Sequence, residues 1–150
     1  MHLNWMPVSA LCLSICLTAA PSEADPAKAR LGRVAWSAFE CATYAEMSGE
    51  SNEHTRLYGV GLESSRAFTD AYLNNQITRQ EAAAEVPSGV MAVLAGPSTD
   101  FIAGRLFEAA MYYATERVMQ QDEKPNKWIT GPDKSIAEDK FVKGNCALIR

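Results

Sequence analysis

Apolar positions recur at helical spacing along almost the whole stretch from 29 to 121. Leu31, Val34, Ala35, Ala38, Ala42 and Ala45 form one stripe, and Gly49 follows as a stop. This predicts a first helix over about 29–48. A second stripe, Leu57, Gly61, Ser64, Phe68, Ala71 and Tyr72, runs opposite Arg56, Glu63, Arg66, Asp70 and Asn74. It predicts a second helix over about 52–74, capped by Ser51 and ended by Asn74-Asn75. Thr78-Arg79-Gln80-Glu81 is a capping box, because hydroxyl and carboxylate can each take the other residue's free N–H. The helix it opens breaks at Val86-Pro87, and a short piece over about 88–95 follows.

Gly96-Pro97-Ser98-Thr99-Asp100 then leads into a further apolar helix pattern. Glycine stops one helix, Ser98 or Thr99 caps the next, and Asp100 complements its positive end. A bound phosphate would compete with that carboxylate, so the segment reads as a helix start and not as an anion cradle.

The core face of this last helix is assigned to Ile102, Leu106, Phe107, Ala110, Tyr113, Ala114 and Val118. Its opposite arc is not purely polar. Phe101, Glu108, Tyr112 and Met119 fall within about 40° of one another on the wheel, beside Arg105, Thr115 and Glu116. The first helix has the same habit: Trp36, Tyr44 and Met47 share an arc with Arg33 and Glu40. Aromatic and charged side chains mixed in this way suit a protein-binding face. They also suit a helix buried on nearly all sides, or one covered by the C-terminal segment.

After Gln121 the composition changes. Five lysines, two prolines and two glycines crowd the tail, whereas no lysine occurs between Lys28 and Lys124. This predicts an extended strap over 122–150, anchored by Trp128, Ile129 and Phe141.

The N-terminus changes the setting of the whole chain. Residues 8–20, VSALCLSICLTAA, are apolar and uncharged, too short to span a bilayer but suited to a signal peptide. Ser22 and Ala24 place the cut after Ala24, although the leading segment carries only His2 as a basic group. A lipidated Cys16 is the alternative; it would have Ile15 where a small residue is expected. Export to an oxidising compartment, most simply a periplasm, makes Cys41 and Cys146 a disulfide. The expected organisation is signal peptide 1–24, helical domain 25–121 and strap 122–150. The fold class is all-α, a bundle of four to five helices closed by one disulfide.

The chemistry is sparse. A net charge of −4 offers no footprint for nucleic acid or an anionic membrane. His54 stands alone after the predicted cut, and neither HExxH nor paired Cys/His spacing occurs, so no metal is expected. Gly59-Val60-Gly61-Leu62-Glu63-Ser64 falls short of a dinucleotide fingerprint and follows a helix where a strand is needed, so close helix packing explains it better and no cofactor is expected. Ser88 has no elbow and no base apart from His54. Glu40 and Glu108 could act as a carboxylate pair only if they converged in one cleft.

The leading expectation is an exported, non-catalytic binding protein of inhibitor or immunity-like role. Its partner is another protein, met through Phe101, Arg105, Glu108, Tyr112, Trp36 and Tyr44. The alternatives are a small-ligand carrier or sensor with an internal apolar pocket, and a hydrolase using Glu40 or Glu108.

Overall fold

A computed structural model describes residues 26–121 and 133–150. The predicted signal peptide, its cysteines Cys12 and Cys16, and the anchors Trp128 and Ile129 lie outside the described residues. Within them the fold is all-α. The order is α1 Pro26–Ser48, α2 Ser51–Leu73, α3 Arg79–Glu85, α4 Ser88–Val93, α5 Thr99–Gln121 and α6 Lys134–Lys143, then a 3-10 turn at Cys146–Leu148. No described helix is long and apolar enough to cross a membrane.

Local signals place the helix ends. Gly49 adopts φ +83°, a left-handed value that glycine takes without a Cβ penalty, and it turns the chain from α1 into α2. Ser51 is the first residue of α2 and not its cap; Glu50 holds the cap position with no side-chain bond. Asn74 ends α2, and Asn75 follows at φ 55°. The capping box is complete: Thr78 N–H donates to Glu81 Oε2 at 2.6 Å, and Glu81 N–H donates to Thr78 Oγ1 at 3.2 Å. Pro87 stands between α3 and α4 as the break. Of the two candidate caps of α5 it is Ser98 that acts, its Oγ accepting from Phe101 N–H at 3.2 Å.

The central helix is α1 and not α5, whose mixed arc also suits a helix buried on nearly all sides. Twelve residues of α1 are buried, because α2 and α5 pack along it, α3 and α4 cover its first half, and α6 covers its second. Five alanines at full burial, Ala29, Ala35, Ala38, Ala42 and Ala45, let neighbouring backbones come close. Gly61 of α2 serves the same end: a Cβ there would sit 2.5 Å from the Phe39 ring. Two apolar clusters result. One gathers Trp36, Phe39, Phe68, Val90, Ile102 and Leu106 towards α3 and α4. The other gathers Tyr44, Leu57, Ala114, Val118 and Ala137 around Cys41 and Cys146.

Cys41 and Cys146 form the disulfide, with Cα atoms 5.5 Å apart and a separation of 105 positions in sequence. The expected extended strap is corrected over its described part. Residues Lys134–Lys143 are helical, opened by Asp133, whose carboxylate accepts from Ser135 N–H at 2.8 Å. Lys134–Glu138 at 3.6 Å and Asp139–Lys143 at 2.7 Å are i,i+4 pairs that support it. Ala137 is buried and Phe141 packs on the cystine cluster, so Phe141 is an anchor as expected.

Candidate functional site

The first turn of α5 is built from its caps. Asp100 pairs with Arg66 of α2 at 2.7 Å, and Thr99 Oγ1 donates to Asp70 at 2.6 Å. Gly96-Pro97-Ser98-Thr99-Asp100 is thus occupied by helix-start and interhelix contacts, as the capping reading expects. One turn on, Arg105 Nη1 donates to Ala95 O at 2.6 Å and ties the 94–98 loop to the helix.

Beyond that tie the outer arc of α5 is open. Phe101, Tyr112 and Tyr113 are 49%, 61% and 47% exposed, and Glu108 is exposed between them. Tyr113 corrects the expected core face. Ile102, about 20° from it on the wheel, is buried beneath the 94–97 loop, whereas Tyr113 is left about half exposed among the described residues. Tyr113 instead leans on Trp36 at 5.5 Å and meets Tyr112 edge-on at 5.9 Å. With Val93, Arg105, Glu108 and Ala109 the two tyrosines line a shallow groove of about 540 Å³.

The corresponding residues of α1 are elsewhere. Trp36 and Tyr44 are each 5% exposed, so neither belongs to an outer face. Trp36 lies under α4, where a Cβ on Gly89 would come within 2.5 Å of its ring. Tyr44 lies in the cystine cluster near Arg117 and Glu40. The C-terminal helix packs along α1, and Tyr44 is buried in the cluster that Ala137 and Cys146 share with α1, α2 and α5.

Glu40 and Glu108 line different concavities and do not converge. Glu40 accepts from Arg117 Nη1 at 2.7 Å and is largely buried. Burial raises its pKa above the ordinary carboxylate value, and Arg117 and the Trp36 side chain only partly offset this. Burial likewise raises the Tyr44 phenol, and the Glu40 charge adds to it. Arg117 was not among the expected site residues, because nothing within α5 marks it; its partner stands 77 positions away.

His54 is a partly buried structural residue. Its Nδ1 lies 3.1 Å from Ala42 O, which can only accept, so Nδ1 carries the proton. The ring stacks on Tyr58 at 6.3 Å. Ser88 is on α4, at the Trp36 end of α1, while His54 sits against Ala42. Among the described residues no three His, Cys, Asp or Glu side chains gather as metal ligands would. No protein-family model, no curated protein and no solved structure matches the chain.

Proposed function

We propose that this is an exported, non-catalytic helical binding protein that recognises another protein through the outer arc of α5, in an inhibitor or immunity-like role. One observation carries the reading: Tyr112 and Tyr113 stand side by side, about half exposed, in a groove flanked by Arg105 and Glu108. Tyrosine gives large, stiff contact area with a polar tip, and a flanking charge pair gives orientation. A carrier would need an enclosed apolar cavity, whereas the α5 groove is open to solvent. The disulfide and the apolar N-terminal run support export through a signal cut after Ala24.

Affinity capture from the native extracytoplasmic fraction tests the surface. The bait is the disulfide-intact chain, and the control carries Glu108→Ala and Tyr112→Ala with Arg105 kept, since Arg105 holds a loop. A defined protein retained by the wild type and lost by the folded control is the expected result. Equal retention by both sinks the assignment to α5. Export is checked separately by the N-terminal mass of the chain in its producing cell, expected to begin at Asp25.

A further inference from the structure

A second concavity of about 460 Å³ opens at the other end of the molecule, between α1, α5 and α6. That is within the ~300–1,000 Å³ typical of small-molecule sites. Glu40, Cys41 and Tyr44 form one wall; Arg117, Lys140 and Lys143 form the others. Three cations thus meet in one recess of a protein whose net charge is −4.

Their charges are unevenly met. Glu40 takes Arg117 and Asp139 takes Lys143, each at 2.7 Å. Lys140 has no ion-pair partner among the described residues. A guanidinium carries five N–H donors, and Arg117, half exposed, spends only part of them on Glu40 and Tyr44. Lys140 and Lys143 are three apart on α6 and share a face. The cystine two residues beyond Gly144 holds that face against α1, so the recess is preorganised.

We propose that this recess binds a small oxyanion-bearing molecule, a phosphate or a carboxylate, on Arg117, Lys140 and Lys143. Charge-assisted bonds from a fork and two ammonium groups are the donors such a ligand requires. Glu40 is its internal competitor: it occupies Arg117 and repels an incoming anion. Groups facing Glu40 and the recess are Tyr44 on α1, Arg117 on α5, and Lys140, Lys143 and its partner Asp139 on α6. Burial holds the Glu40 carboxyl above its ordinary pKa, so acidification neutralises it and removes its negative charge from the recess. Relative to a variant without the Glu40 charge, wild-type affinity for the anion therefore improves as pH falls through the Glu40 titration.

The test is an amide-resolved NMR titration of the disulfide-intact chain with inorganic phosphate and, separately, with citrate, at constant ionic strength. Saturable shifts confined to residues 37–44, 117 and 140–144 are expected, and which anion saturates names the source. Lys140→Ala should weaken binding about tenfold. Glu40→Gln should tighten it at neutral pH, and that advantage over the wild type should shrink in acid, while any advantage of Asp139→Asn should not follow the Glu40 titration. Unsaturable shifts spread over all lysines overturn the site, as does unchanged affinity in Lys140→Ala. A poly-glutamate peptide that binds where neither small anion does also overturns it, in favour of an acidic protein partner. Lys140 is only half-buried and makes no ion pair among the described residues, so its variant decides the matter even if Glu40→Gln fails to fold.

Discussion

Helices α1 and α5 carry the same kind of outer arc, with aromatic side chains set among charges, yet their fates are opposite. In α1 the arc is covered: Trp36 by α4 and Tyr113, Tyr44 by the elements around the cystine. In α5 Glu108, Tyr112 and Tyr113 stay exposed among the described residues. The difference teaches that mixed composition on a helix face reports two things a single helix cannot separate. One is a partner within the chain, and the other is a partner outside it. What separates them is whether a later element is long enough, and tethered closely enough, to reach the face.

The largest test of that contrast is the tether. Replacing both Cys41 and Cys146 by serine opens a loop of 105 residues. A stability loss of about 4 kcal/mol is expected in the chain-entropy account, read by urea denaturation. A negligible loss would mean that α6 holds its place on α1 without the bond. Next come the aromatics themselves. Trp36→Ala should cost about 3–5 kcal/mol, whereas Tyr112→Ala should stay within about 0.5 kcal/mol. Equal costs would show that the α5 arc is not bare.

Two glycines sharpen the comparison further. Gly61→Ala forces a methyl against the buried Phe39 ring and should cost about 1–3 kcal/mol. Gly104→Ala, on the open side of α5 with no atom within 4 Å of the new Cβ, should instead stabilise by about 0.5–1 kcal/mol. The smallest effect is Glu40. Its folded pKa lies above the unfolded value, so its stabilising share is full below the unfolded pKa and is lost as pH rises through the folded one. The stability of the wild type relative to Glu40→Gln should therefore grow on acidification across that window. A flat difference would contradict the burial of the carboxyl.

Much of the frame was legible because its causes are local. The Thr78–Glu81 box, Gly49, Pro87 and the Ser98 start act within four residues, and each stands where the pattern put it. The Cys41–Cys146 bond was legible for a different reason: reading the apolar run at 8–20 as a signal peptide sets the other two cysteines aside. Helix α6 was hidden by Pro125 and the Gly131-Pro132 pair before it, although Asp133, its two i,i+4 ion pairs and Gly144 are ordinary helix signals. Of the candidate site, Phe101, Glu108 and Tyr112 were legible as an arc. Tyr113 was not, since its place on the wheel is the same whether or not a neighbour reaches it.

The amino-acid sequence by itself determined the helical class, most helix ends and the pairing of two distant cysteines. Backbone hydrogen bonding, side-chain caps and helical periodicity are all satisfied over a few residues, so their residues can be read in order. Which faces are covered was decided only in three dimensions. The burial of Trp36 and Tyr44, the exposure of Tyr113 and the meeting of Glu40 with Arg117 and the lysines of α6 depend on elements many positions away. Burial is set by what packs against a surface, and that neighbour is not written in the residues that it covers.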